Sequence, residues 1–350
     1  MFSRKKNNTI RQFAIDPGAF HTRFCSASAG LLLDQPSIAA LDMDHPIGGS
    51  KAIDSFGDQA DELISSGVDG LRSIQPVQSD RHNELGLSAK MLGYFLTYAR
   101  QSGLTGKYAE ILLMQPHDCS AKVSAELQAV CKQSGARTVR VLDAALAAFY
   151  ATGINQSKPC IMIDFGATES RMFAIDKGDV VHYRSLPVGG DALDASIANG
   201  LLERFSIQVS DEDAREIKHC VAAATPQSMV RCTRKSCQVN CLSVKTNTTK
   251  PFRVGSETIN EILTPTLETL ADSIKSVLED IDKSLKDAAY ETGIQICGGG
   301  ALLPRMDQLV MTATNLPVEV VRRPLNSNVR GAASTITEAQ IDALKPDLVH

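Results

Sequence analysis

The sequence predicts an α/β protein built twice over, with two similar halves in one chain. Three observations carry that expectation. A motif near the N-terminus, Ile15-Asp16-x-Gly18-Ala19-x-x-x-Arg23, recurs 148 residues later as Ile163-Asp164-x-Gly166-Ala167-x-x-x-Arg171. Strand and helix patterns alternate between and after the two copies. Near the C-terminus, Ile294–Cys297 runs into three consecutive glycines, Gly298–Gly300, and then another helix-like segment.

Each copy of the motif sits between apolar runs, so it reads as strand, glycine-centred turn, strand. Glycine allows positive φ and a close backbone approach. Turn amides can point at an anion, and a strand-end Asp suits a hard cation such as Mg²⁺. Two such hairpins could hold a nucleotide phosphate chain, although a single Asp-x-Gly is common at ordinary turns.

Composition bounds the rest. The chain has 350 residues, 43% hydrophobic and 22% charged, as expected of a folded globular protein of two or more domains. Net charge is −4 and the pI about 6.0, which gives no footing for nucleic acid as a main partner. No apolar run reaches 18 residues, so no spanning helix is expected. Nine scattered cysteines point to reduced thiols in the cytosol. Cys232, Cys237 and Cys241 cluster, but without His or Cys-x-x-Cys spacing they make a poor zinc set.

Along the chain, Phe2 with Arg4, Lys5, Lys6 and Arg11 reads as a solvated tail or a weak lipid anchor. Residues 13–41 read as a small meander. Residues 42–83 read as a peripheral insertion with a short helix near Asp58–Ser65. Helices are expected at Glu84–Arg100, Ser120–Ser134 and Asp143–Thr152. Strands are expected at Tyr108–Gln115 and Thr138–Leu142, the first an all-apolar run suited to a covered sheet. A boundary at residues 153–159 divides a first half, 1–153, from a second, 154–350. Leu186–Asp191 opens a helix, Ala192–Phe205, where two glycines and Asp191 could hold a phosphate or ribose, or Asp191 could be a plain N-cap. Ser210–Ala223 is a helix capped by Ser210. Short polar strands over 226–253 belong to a smaller subdomain, about 206–260. Glu257–Leu285 is an amphipathic helix or helix pair, with a break or kink expected near Pro265. Gly298–Gly300 removes three side chains, so a flat ligand could lie on the backbone, whereas a tight turn would need one glycine.

This order of elements resembles the actin/Hsp70/sugar-kinase superfamily, and within it the MreB-like bacterial actins. Further support comes from Gln35–Ile38, Lys90–Leu92, Gly135–Arg137, Ala147-Ala148, Val188–Asp191, Ile217–His219, Gly298–Leu303, Leu316–Val318 and Arg330-Gly331. The likeness covers nearly the whole chain. It implies an actin-like ATPase fold of two duplicated α/β halves around a nucleotide cleft, with ATP and Mg²⁺ as cofactors. It implies head-to-tail filaments involved in cell shape, cytoplasmic and peripheral at the inner membrane, working with membrane morphogenesis proteins. By position, Asp16 and Asp164 would sit at the metal and its water. Gly18, Ala19, Phe20, His21, Gly166, Ala167 and Thr168 would contact the phosphates, with Gly189, Gly190 and Asp191 beside them. Arg215, Glu216, Ile217, Lys218, Gly298, Gly299, Gly300, Ala301 and Leu302 would flank ribose and base.

The chain departs from that family's pattern. The first loop, usually Asp-Leu-Gly-Thr, is Asp16-Pro-Gly-Ala19. The second, usually Gly-Gly-Gly-Thr-Thr, is Gly166-Ala-Thr-Glu-Ser170, which crowds the phosphates and brings a charge at Glu169 close to them that opposes binding unless Mg²⁺ or Arg171 offsets it. The family's water-orienting Glu aligns with Val123, which can neither orient water nor accept a proton; Glu126 lies a turn away. Glu-Glu-Pro becomes Asp143-Ala-Ala145. The membrane loop keeps one apolar residue of two, at Leu104-Thr105. ATP binding with slow or absent hydrolysis is therefore expected. Two other readings are a non-polymerising scaffold of a pilus or division assembly, and a sugar- or acetate-type kinase, for which no separate catalytic carboxylate is found.

Overall fold

The computed structural model describes residues 10–42, 55–67, 71–77, 86–225 and 235–336. Phe2, Arg4, Lys5 and Lys6, much of the 42–83 insertion, and Cys232 lie outside them. The chain divides into two compact units, one of Met1–Ala151 with Asn328–His350, the other Thr152–Ser327.

The first unit opens with strands β1 (Ile10–Pro17), β2 (His21–Ser26), β3 (Gly30–Pro36) and β4 (Ala39–Asp42). A small insertion follows: β5 (Ser55–Phe56), α1 (Asp58–Ser65) and β6 (Leu71–Ile74). Then come α2 (Leu87–Gln101), β7 (Thr105–Gln115), α3 (Ala121–Gln133), β8 (Thr138–Asp143) and α4 (Ala144–Thr152). The main sheet has the order β3-β2-β1-β7-β8. β1, β2 and β3 are antiparallel neighbours, and β7 and β8 run parallel to β1. Phe13, Ile15, Phe24, Ile111 and Leu113 bury one face of this sheet against Met91, Phe95 and Leu127 of the helices.

The second unit repeats the plan. It runs β9 (Cys160–Phe165), β10 (Ser170–Asp176), β11 (Asp179–Leu186), α5 (Gly190–Phe205), β12 (Ile207–Gln208), α6 (Asp211–Val221), β13 (Ser236–Ser243) and β14 (Thr248–Gly255). It continues with α7 (Ser256–Asp280), α8 (Lys283–Thr292), β15 (Ile294–Cys297), α9 (Met306–Thr314) and β16 (Val318–Val320). Its sheet order, β11-β10-β9-β15-β16, matches the first sheet strand for strand, with the same parallel and antiparallel pairs. β12, β13 and β14 form a separate three-stranded sheet.

Several elements differ from the sequence reading. β7 starts at Thr105 rather than Tyr108. Thr105 is buried and Leu104 packs on the sheet core, so the apolar residue of the expected membrane loop turns inward. α7 runs unbroken through Pro265, because one face buries Ile259, Ile262, Leu263, Leu267, Leu270 and Ile274. The division of the helix pair falls instead after Asp280. The last helix, α10 (Ser327–Ser334), follows a chain that has re-entered the first unit, although the sequence places everything after 154 in the second half. A Cβ at Gly331 would stand 2.0 Å from the Ala147 carbonyl oxygen, so the chain there runs against α4 at a distance only glycine permits.

Candidate functional site

The two hairpins are built alike. Asp16 stands opposite Arg23 in the β1–β2 register, and Asp164 opposite Arg171 in β9–β10. A Cβ at Gly18 would lie 2.7 Å from the His21 carbonyl oxygen, and one at Gly166 2.6 Å from that of Glu169. Neither glycine has positive φ. The sequence invoked φ freedom here; the need is instead close approach, because the turn folds back onto its own carbonyl.

Thr22 and Ser170, at matching positions after the two turns, both use their hydroxyls. Thr22 Oγ1 lies 3.0 Å from Ser37 Oγ, which donates to the Gly18 carbonyl at 2.6 Å. Ser170 Oγ donates to the Val188 carbonyl at 2.6 Å. Ser37 is fully buried and had no role in the sequence reading beyond a point of resemblance. In the first hairpin, His21 Nδ1 is 2.5 Å and Arg23 Nε 3.1 Å from Asp34 Oδ1, so Asp34 contacts both side chains. Phe20 packs its ring on His21, with centroids 5.0 Å apart, and Ala19 is half-buried. In the second hairpin, Glu169 is paired with Arg171 and also accepts from Ser185. The carboxylate that seemed to oppose an anion at this loop is therefore compensated within the hairpin.

The start of α5 is used differently from the expectation. Its N-cap is Gly189, not Asp191. The Gly190 amide donates to the Gly166 carbonyl at 3.0 Å, and the Asp191 amide to the Ala167 carbonyl at 2.9 Å. A Cβ at Gly189 would stand 2.4 Å from the Ala167 carbonyl oxygen and 2.5 Å from the Thr168 carbonyl carbon. These two amides and this glycine serve to seat the hairpin loop on the helix. Two amides at the positive end of the helix dipole are thus satisfied by loop carbonyls.

α6 meets α5 through charge. Lys218 Nζ lies 2.7 Å from Asp194 Oδ1 and donates to the Gly190 carbonyl at 3.0 Å, while Arg215 Nε is 3.5 Å from Asp194 Oδ2. Burial pushes the Asp191 carboxyl above its ordinary value, with Arg215 and Lys218 pulling the other way. Of the expected Arg215–Lys218 contacts, Glu216 is exposed, but Ile217 is fully buried in the core and Lys218 is a strut.

The three glycines after β15 separate into two kinds. β15 lies parallel to β9 with Cys297 opposite Asp164. Gly298 has φ of 80°, and a Cβ there would stand 2.4 Å from both Asp164 Oδ1 and the Phe165 carbonyl oxygen. A Cβ at Gly300 would reach within 2.7 Å of Phe165 Cβ. Both are demanded by packing over the end of β9. Gly299 is exposed and meets only Leu325 Cδ1 at 3.5 Å. Ala301 is core, and Leu302 is 57% exposed. The exposed positions here are Gly299 and the apolar side chains of Leu302 and Leu325.

Asp16 and Asp164, both half-buried, end the central strand of their sheets. A strand-end carboxylate beside a tight turn fits a hydrated hard cation and phosphate oxygens. Among the described residues no group of three or more His, Cys, Asp or Glu could hold a metal ion. Val123 is the third residue of α3, its amide donating to the N-cap Ser120 at 3.4 Å, and its side chain packs on the core.

A doubled sheet of this topology, with a matching Asp-x-Gly hairpin in each copy, is the actin-like fold. Solved structures agree. The chain superposes on MreB5 of Spiroplasma citri bound to ADP with TM-score 0.83 at 21% identity, covering 95% of this chain and 98% of that one. It superposes on the MamK double helical filament with TM-score 0.70 at 21% identity, covering 92% and 98%. The chain belongs to the MreB/Mbl protein family, whose model matches residues 10–344. Relatives include the cell shape-determining protein MreB of Escherichia coli K12, 24% identical over 96% of both chains. Another is the cell shape-determining protein Mbl of Bacillus subtilis, 23% identical over 90% of this chain and 92% of that one.

Proposed function

We propose that this chain is an ATP-binding, filament-forming protein of cell-shape determination, with hydrolysis slower than an unaltered site would give. The observation that carries the reading is the repeated hairpin: the same Asp opposite the same Arg, with the same close glycine, at the end of the central strand of each sheet. Asp16 and Asp164 hold the hydrated Mg²⁺, and the turns Gly18–His21 and Gly166–Thr168 take the phosphates. Arg215, Glu216, Gly299 and Leu302 border ribose and base. Gly189, Gly190, Asp191, Lys218, Gly298 and Gly300 shape these elements rather than touch ligand, which the contacts above support. Ala167, Thr168 and Val123 are the reasons to expect slow turnover.

Copies of the chain associate head to tail, a heterologous contact that leaves the filament open. No described helix is long and apolar enough to cross a membrane. Attachment to the inner-membrane surface, and through it to morphogenesis proteins, falls to Phe2 with Arg4, Lys5, Lys6 and Arg11, drawn to anionic lipid. Titration with a fluorescent ATP analogue and Mg²⁺ tests the site. Saturable binding abolished by Asp164→Ala is expected, and binding indifferent to that change would sink the reading.

A further inference from the structure

In the second unit α6 packs on β13, and thiols lie along the seam between them. Asp213, Glu216 and Cys220 share one face of α6, at spacings of three and four residues. Cys237 and Cys241 lie on the buried face of β13, as alternate strand positions do. Helix and strand run in opposite directions: the charge of Asp213 reaches Cys241 at one end, and Cys220 meets Cys237 at the other. The Cys220 and Cys237 side chains are hydrogen-bonded to each other. Cys241 is engaged separately, its Sγ donating to the Lys250 carbonyl at 3.6 Å. Sequence spacing groups Cys237 with Cys232 and Cys241; the fold adds Cys220 as its neighbour.

We propose that Cys220 and Cys237 form a redox-modification site, joined as a disulfide when a peroxide reaches Cys220; this stands independently of the nucleotide-binding reading. Cys220 is half-buried at the rim of the core, whereas Cys237 is 5% exposed. Burial, followed by the contact with Cys220 and the charge of Glu216, pushes the Cys237 thiol up to about 11, so it stays protonated until it is used. Cys220 is the sulfur that an oxidant reaches first. It gives its proton to solvent, and the thiolate attacks one peroxide oxygen; the O–O bond breaks, and the hydroxide that leaves takes up a proton to become water. The Cys237 sulfur, losing its own proton, then attacks the sulfenic acid formed on Cys220. The S–S bond forms, the S–O bond breaks, and a second water leaves. Two thiols have lost two electrons, and one peroxide has gained them. Sulfurs already in hydrogen-bond contact are a side-chain rotation away from the bonded separation of about 2.05 Å. Packing alone accounts for Cys237 but not for a second thiol set against it at the rim, because a thiol–thiol hydrogen bond is weak. Cys160 and Cys297 are also close enough to interact, but they are 1% and 0% exposed, where no oxidant reaches them. The new bond ties the last turn of α6, just beyond the Lys218 strut, to β13.

The test uses the purified, reduced full chain treated with one equivalent of hydrogen peroxide, then denatured, titrated for free thiols and mapped by mass spectrometry of its peptides. Wild type should fall from nine thiols to seven, with one cross-linked peptide pair containing Cys220 and Cys237. Cys237→Ser should leave a sulfenic acid on Cys220 that dimedone traps, and Cys220→Ser should show no cross-link at Cys237. Oxidised wild type should unfold at higher urea than reduced, because the bond restricts the unfolded chain, and dithiothreitol should reverse the shift. Cys220 and Cys237 both recovered as free thiols, or Cys237 cross-linked to Cys232 or Cys241 instead, overturns the assignment. So does an oxidised chain that unfolds at the same or lower urea, since the bond then does not fit the folded α6–β13 pair.

Discussion

Lys218 Nζ lies 2.7 Å from Asp194 Oδ1, with both side chains about nine-tenths buried. The pair joins α6 to α5 directly beneath the turn that seats the Gly166–Thr168 loop. Removing one member of such a pair leaves a buried charge, at a cost of about 3–5 kcal/mol. Lys218→Met should lose stability on that scale in urea unfolding. The double change Lys218→Met with Asp194→Leu should recover most of it. Equal losses in the single and double variants would show that the charges are not coupled.

Gly298 and Gly299 are neighbours with opposite expectations. Alanine at Gly298 meets Asp164 and Phe165 at 2.4 Å and keeps a φ of 80°. Strain of that backbone class alone costs about 1–3 kcal/mol. Alanine at Gly299 meets only ordinary contact, so the unfolding midpoint should hold while the affinity for an ATP analogue drops. Thermal unfolding and analogue titration on the two variants separate these effects. Matching losses of stability would refute the distinction.

Val123 occupies the third position of α3 behind Ser120. A glutamate there can reach back to the N-cap amide and complete a capping box. It also restores a carboxylate where the family resemblance expects the water-orienting group. Val123→Glu should raise phosphate release at unchanged nucleotide affinity. A rate at or below wild type would show that the second hairpin loop, rather than this helix, limits turnover.

Burial pushes the Asp191 carboxyl up, so the folded chain holds this proton to higher pH than the unfolded chain does. Its contribution to stability is present below the unfolded value of 3.8 and declines as pH rises through the folded one. Asp191→Asn should therefore raise the unfolding midpoint at pH 7 and leave it unchanged below pH 3.8. A midpoint lowered at pH 7 would mean that Arg215 and Lys218 outweigh desolvation.

The sequence was most legible where the signal is local. The short helix expected near Asp58–Ser65 lies at those residues, and Ser210 caps α6 with Asp213 completing the box. The apolar stripe from Ile259 to Leu285 is buried throughout. What escaped depends on residues far apart in the chain. Nothing near Gly189 or Gly298 announces that their neighbours are Thr168 and Asp164, so glycines read as ligand contacts are partly packing contacts. Lys218, expected beside ribose and base, is instead held by Asp194, 24 residues earlier. The division at Pro265 failed because the buried face of α7 outweighs one missing amide. Gly331 carried the clue that the last helix rejoins the first unit, but its partner, Ala147, lies 184 residues earlier.

Nucleotide held by the paired hairpins is expected to drive assembly. Negative-stain electron microscopy of the purified protein on an anionic lipid layer, with and without Mg·ATP, addresses it directly. Filaments that appear with Mg·ATP, and are lost both without nucleotide and in Asp164→Ala, are the predicted result. Filaments that form equally without nucleotide, or none in any condition, would contradict it.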